Sequence, residues 1–244
     1  MEFTYQSYRT LLDKLHRHGY DIVGYEDWEP YERCAVLRHD VDNDLGKAVD
    51  LALLEQKVGV KATYFVLLTS DFYNVFSKES GDSLKRIMDC GHTIGLHFDE
   101  VRYPEIVGNI EVIKDKIIEE TRLLQVAINR KVKVVSMHRP SKFVLEADLK
   151  IPGIVNSYGQ RFFKEFKYLS DSRRRWREPI DEIIDKEEYA RLHILTHAFW
   201  YNNVETDIHD SMSYFVNDGN HKRYQFMESN ITDLASIMKK SEVK

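Results

Sequence analysis

The chain has 244 residues, 31% of them charged, and a formal net charge of −5. That length favours one α/β domain with an ample core, read here as spanning 1–244. The negative balance excludes a surface that tracks nucleic-acid phosphates. No apolar run approaches the roughly 18 residues needed to span a bilayer, so no membrane insertion is expected.

Thr4 to His18 carries Tyr8, Leu11, Leu12 and Leu15 at helical spacing and stops at Gly19. Ala35-Val36-Leu37 is a short apolar run, followed by a helix over Leu45 to Val58 that ends at Gly59. Thr63 to Leu68 is aromatic and β-branched, hence a strand. Ser83 to Cys90 reads as a helix closed by Gly91, Thr93 to Leu96 as a strand, and Pro104 to Ile128 as one long helix. Val132 to Val135, Gly153 to Val155 and Leu192 to Leu195 read as further strands, with Tyr189 to Leu192 partly in a preceding helix. Tyr201 to Asp218 is polar, acidic and aromatic, compatible with a rim over a site, and Ile231 to Met238 reads as a helix packed on the barrel. Alternating strands and helices of these lengths imply a parallel sheet with crossover helices, as a barrel or a doubly wound sheet.

Polar clusters at the strand ends favour the barrel, because such an architecture gathers catalytic groups at the C-terminal ends of its strands. Asp40 and Asp42 stand at i and i+2, which on extended backbone places both carboxylates on one face. Their repulsion is relieved by a cation. The competing reading is a turn, with Asp42-Asn43-Asp44 capping the helix that starts at Leu45. Arg38 and His39 are unusual at a buried strand end and tilt the balance toward a site. His92 and His97 are five apart, so at most one enters the same pocket, and Phe98-Asp99-Glu100 gives His97 the greater weight. His138-Arg139-Pro140 ends another strand, where Arg139 reads either as the holder of a carboxylate or as an exposed arginine in a surface turn. His197 follows Leu192 to Thr196 and precedes Ala198-Phe199-Trp200-Tyr201. Arg173-Arg174-Arg175 reads either as a solvated loop or, facing the pocket, as a site for an anionic or diphosphate-linked sugar. His209 and His221 read as surface residues. Cys34 and Cys90 are read as buried thiols and not as a disulfide. With no basic-then-apolar leader after Met1, a cytoplasmic location is expected.

Five ordered motifs resemble the polysaccharide deacetylase (NodB homology) superfamily, in a divergent branch associated with surface-polysaccharide biosynthesis. Gly59-Val60-Lys61-Ala62-Thr63-Tyr64-Phe65-Val66 is similar to the family's second-strand signature, and Gly91 to His97 to its "GHEIGNH" segment. Asp40 and Asp42 stand where the family carries "TFDDG", Arg139-Pro140 resembles its arginine motif, and Asp171 with Trp176 its later Asp/Trp motif. His197 in Leu195-Thr196-His197 resembles the terminal "LxH". The likeness runs from about residue 37 to 201. It implies a distorted, incomplete (β/α) barrel and a hydrolase removing an N-acyl group, acetyl foremost, from a sugar or glycan precursor. It further implies Asp40 as base, Arg139 bracing it, His197 as general acid, Asp171 positioning either His197 or Arg139, and a divalent ion on Asp42 and His97. Zinc heads the candidates, with cobalt, manganese or nickel as alternatives.

Three departures bear on the site. The family's second histidine ligand falls at Val101, so His138 is the first substitute and Asp99 the second. Asp40-Val41-Asp42 replaces adjacent aspartates, leaving open which carboxylate is the base. Ser141-Lys142 replaces an aromatic position after Arg139-Pro140. A carbohydrate-binding barrel without catalysis, or a metal-dependent amidohydrolase on a non-sugar substrate, are the alternative functions.

Overall fold

The computed structural model describes residues 1–106 and 108–243. The chain forms two compact units, Met1–Asn203 and Val204–Lys244. In the first unit, helices and strands alternate along the chain. They are α1 (Tyr5–Arg17), β1 (Asp21–Val23), β2 (Cys34–Val41), α2 (Leu45–Lys57), β3 (Thr63–Leu67), α3 (Lys78–Asp89) and β4 (Thr93–Asp99). Then follow α4 (Ile110–Ile128), β5 (Val134–His138), α5 (Lys142–Glu146), β6 (Val155–Asn156), α6 (Gln160–Lys164), β7 (Lys167–Ser170), α7 (Ile180–Lys186) and β8 (Arg191–Thr196).

Every strand pairing is parallel, in the order β6-β5-β4-β3-β2-β8-β7, with β1 beside the start of β2. The sheet curls into a half-barrel. Among the described residues β6 and β7 do not pair, so the ring stays open as expected for a distorted, incomplete barrel. All strands therefore deliver their C-terminal ends to one rim.

Side chains alternate along each strand with period two. On β2, Ala35, Leu37 and Val41 join the cluster under the helices, whereas Cys34 and Val36 join the interior cluster with Phe65, Val134, Phe162 and Phe166. Gly95 is required inside the barrel, because a Cβ there would lie 2.5 Å from the Phe65 ring and 3.1 Å from the Val134 carbonyl oxygen.

The outward face carries one polar knot. Glu55, fully buried on α2, accepts hydrogen bonds from Tyr8 and Tyr64, both at 2.6 Å, and pairs with His39 Nε2 at 2.8 Å. His39 Nδ1 in turn meets Thr196 Oγ1 at 2.6 Å, so the knot ties β2, β3 and β8 to α1 and α2. A buried carboxylate is tolerable here because it is multiply hydrogen-bonded.

Several boundaries differ from the sequence expectation. The helix expected from Ser83 starts at Lys78, where Ser77 accepts from the Ser80 amide as N-cap. The helix expected over Pro104 to Ile128 is interrupted. Pro104–Ile106 is a 3₁₀ turn, Gly108 has φ +75°, and Asn109 caps α4 by accepting from the Val112 amide. Val107 lies outside the described residues. Tyr189 to Leu192 is not helical: α7 ends at Lys186, and Glu187 takes a left-handed conformation.

The second unit holds α8 (Ile208–Glu228) and α9 (Leu234–Ile237), so the helix expected over Ile231 to Met238 is reduced to one turn. The Tyr224 hydroxyl donates to the Met238 carbonyl at 2.8 Å, closing the unit on itself. Tyr201, assigned above to a polar rim, is fully buried in the first unit. No helix among the described residues is long and apolar enough to cross a membrane. Cys34 and Cys90 are free thiols.

Candidate active site

Arg38, Asp40 and Asp42 follow one another on the inner face of β2 and its immediate extension, as their i, i+2 spacing requires. His97 comes from β4, His138 from the end of β5, and Asp171 and His197 each from one residue past β7 and β8. Asp40, Asp42, His97, His138, Arg139 and His197 line one cleft of about 540 Å³, closed on its sides by Tyr158, Phe199 and Trp200.

A ligand triangle sits at its floor. Asp42, His97 and His138 offer donor atoms that all lie within 4.8 Å of one another. His97 Nε2 and Asp42 Oδ1 are 3.2 Å apart, yet Asp42 Oδ1 is a buried oxygen without a hydrogen-bond partner. Two potential donor atoms this close, one of them a buried oxygen without a hydrogen bond, can both serve one cation. His138 uses Nδ1 on Asp99 Oδ2 at 3.1 Å, which leaves Nε2 for a ligand role. A carboxylate behind a ligating imidazole fixes its tautomer and orientation. One carboxylate oxygen and two imidazole nitrogens make a donor set that fits a divalent ion of the zinc, cobalt or nickel type.

His138, rather than Asp99, thus stands at the triangle, and parallel register is the reason. Asp99 and His138 are direct Cα partners on β4 and β5. Asp99 is therefore beside His138 and is occupied with it, with Arg139 and with the Val101 amide. Val101 itself is 63% exposed, in a 3₁₀ turn past the strand.

Asp40 has a different environment. The Arg38 guanidinium grips both its oxygens, with Nη2 at 2.8 Å from Oδ1 and 2.6 Å from Oδ2, and Nε at 3.2 Å from Oδ1. Arg38 is fully buried, sandwiched 5.0 Å from the Phe65 ring and 5.1 Å from the Tyr158 ring. It also donates to Ser157 Oγ at 3.1 Å and to Ser136 Oγ. Burial pushes the Asp40 carboxyl up, but Arg38, then His97 and His197, outweigh it and hold the group below its ordinary value. For Asp42 the same opposition ends with the carboxyl well below the usual range, because the imidazoles, His97 foremost, outweigh burial.

Here the structure corrects the assignment of Arg139. It does not brace Asp40; its Nη2 donates to Asp99 Oδ2 at 2.6 Å and its side chain is 63% exposed. Arg139 has φ +51°, one residue past the end of β5, whereas Arg38 lies in regular strand on the face of Asp40. The bracing role falls to Arg38, which lies two residues before Asp40 and hence on its face.

His197 Nδ1 pairs with Asp171 Oδ1 at 2.6 Å, and Asp171 Oδ2 accepts from the His197 amide at 3.1 Å and the Tyr201 hydroxyl at 3.3 Å. Burial opposes the charged imidazole, but Asp171, then Asp40 and Asp42, prevail and raise its pKa to about 9. His197 Nε2 lies 3.9 Å from Asp42 Oδ2, across the cleft floor. His92 is not in the cleft; it accepts from the Ala62 amide and meets the Ala52 carbonyl at 3.0 Å, a scaffold role between α2 and β3. Both readings of the Asp42-Asn43-Asp44 turn are realised on different residues, because Asp44 caps α2 while Asp42 faces the cleft.

No protein-family model matches the chain, and no curated protein is similar to it in sequence. Solved structures of similar architecture do exist. A family 4 carbohydrate esterase from Bacillus anthracis aligns at 17% identity over 87% of this chain and 86% of that one, with a TM-score of 0.42. The catalytic domain of a peptidoglycan N-acetylglucosamine deacetylase from Eubacterium rectale aligns at 13% over 78% and 86%, with a TM-score of 0.47. A CE4 family pseudoenzyme from Bacillus anthracis aligns at 16% over 88% and 77%, with a TM-score of 0.43. At such identities and scores the likeness transfers no chemistry, and the functional reading rests on the side chains of the cleft.

Proposed function

We propose that the protein is a metal-dependent hydrolase that removes an N-acyl group, acetyl foremost, from a sugar or glycan precursor. The observation that carries this reading is the convergence, on one cleft, of an Asp-His-His triangle, a braced carboxylate and a carboxylate-paired histidine. A divalent ion on Asp42, His97 and His138, zinc by preference, would polarise the acyl carbonyl and acidify a water.

The chain's own groups supply the proton transfers. Asp40, kept ionised and oriented by Arg38, accepts the proton of the attacking water. His197, kept protonated through Asp171, donates to the amine nitrogen as the C–N bond breaks, so that a carboxylate and an amine leave. Two oppositely tuned groups on one cleft form an acid–base pair. Tyr158, Phe199 and Trp200 offer apolar faces on which a sugar ring can rest.

The test is acetate release from N-acetylated sugars by zinc-loaded protein, compared with Asp40→Asn. The variant should keep its zinc and lose at least about 100-fold in kcat. An Asp40→Asn protein as active as the parent would end the assignment of the base.

A further inference from the structure

The same cleft is lined by Arg139, Arg173 and Arg177. That is an uneven placement of cations in a chain whose formal net charge is −5. Charge pairing distinguishes the arginines from one another. Arg38 is neutralised by Asp40 and Arg139 by Asp99. Arg173 and Arg177 have no ion-pair partner among the described residues, and both are exposed at the mouth of the cleft.

Their loop is held in place. The Arg175 amide bonds the Asp171 carbonyl at 3.1 Å and the Arg177 amide the Ser170 carbonyl at 3.4 Å. The Ser170 and Ser172 hydroxyls meet at 2.7 Å. The segment that carries Arg173 and Arg177 is therefore the one that fixes Asp171 against His197. Within it, Arg173 and Arg174 adopt consecutive left-handed conformations, at φ +61° and +56°. Side-chain-bearing residues adopt that region at a cost, and such outliers concentrate where a loop is shaped for a ligand.

We infer that the substrate carries an anionic group, a phosphate or a carboxylate, which Arg173 and Arg177 bind while the sugar ring lies against Tyr158 and Phe199. This inference rests on the deacylase reading for its sugar and adds the class of sugar. Planar guanidinium groups bind either anion through paired hydrogen bonds, an interaction that a neutral sugar does not offer.

The test is calorimetric titration of the zinc-loaded full chain with N-acetylglucosamine, N-acetylglucosamine 1-phosphate and N-acetylmuramic acid. At least one charged sugar should bind about tenfold more tightly than the neutral one. Which one it is tells phosphate from carboxylate. In Arg173→Ser/Arg177→Ser that preference should vanish while the neutral sugar binds as before, and in Arg173→Lys/Arg177→Lys part of it should return. A phosphate held by the metal alone would keep its preference in the serine variant, which overturns the inference. Equal affinities for the three sugars, or no detectable binding of a charged one, overturn it as well. Acetate release, measured separately, judges the reaction: a charge preference without release removes the deacylase reading and keeps the anion site, and release without preference does the reverse.

Discussion

Arg38 and Asp40 are two residues apart on one strand, and the buried guanidinium of the first holds both carboxylate oxygens of the second at the cleft. Neither charge is tolerable there alone. Arg38→Met should therefore cost about 3–5 kcal/mol, the penalty for leaving a buried carboxylate unpaired. Arg139→Ala breaks an exposed pair and should cost less than about 1 kcal/mol. Urea unfolding of the two variants checks the contrast. Comparable losses would mean that Arg38 and Asp40 do not form a buried, irreplaceable contact.

The ion site can be weighed without measuring turnover. His138→Ala removes a corner of the triangle and should abolish stoichiometric zinc after dialysis, whereas Val101→Ala should leave it intact. Asp99→Asn, which loosens His138 from behind, should weaken zinc by about 10–100-fold. In the parent, zinc at about 100 times its Kd should add about 2.7 kcal/mol to stability. A His138→Ala protein that retains one zinc per chain would move the third ligand elsewhere.

Much of this site was legible in the sequence, and the parts that were not have physical reasons. Period-two alternation puts Asp40 and Asp42 on one face, and the same rule applies to Arg38, so the bracing arginine was readable from β2 alone. The resemblance of Arg139-Pro140 to the family's arginine motif points elsewhere than this local geometry does. The substitution of His138 for the ligand missing at Val101 depends on the pairing of Asp99 with His138, and register between β4 and β5 is not written in either strand. The break at Gly108-Asn109 was hidden by the continuing apolar spacing of Ile106, Ile110 and Ile113, although a glycine followed by a capping asparagine is a stop-and-start signal. The strand Lys167–Ser170 carries little sequence signal, being only four residues long and on an open edge.

The Asp171–His197 pair makes a pH prediction. Burial lowers the His197 pKa, but Asp171 foremost outweighs it and raises the value to about 9. A cation on Asp42 would oppose that rise, so the basic limb of acetate release should lie above neutrality and no higher than about pH 9. Asp171→Asn removes the largest contribution raising that pKa, and the basic limb should move to lower pH while kcat falls. Because Asp171 is buried and also takes the His197 amide and the Tyr201 hydroxyl, the melting temperature should be followed in parallel. An unchanged basic limb in a folded Asp171→Asn protein would remove His197 as the acid.

Glu120 lies on α4, outside the lining of the cleft, and makes a stability prediction with a definite sign. It is 1% exposed on α4; its Oε1 accepts from the Tyr103 hydroxyl at 2.6 Å, and its Oε2 is buried without a partner. Burial, only partly countered by Tyr103 and assisted by Asp99, raises its pKa from 4.5 to about 7. The folded chain thus keeps a proton that the unfolded chain releases near pH 4.5. Its stabilising contribution is complete below that pH and is lost as pH rises through about 7. Glu120→Gln keeps an acceptor for Tyr103 but carries no charge at any pH. The parent should therefore lose stability relative to Glu120→Gln between about pH 5 and 8, read as a widening gap in melting temperature. Parallel curves for the two proteins across that range would mean that Glu120 is ionised in the folded state, with solvent reaching the oxygen that is buried here.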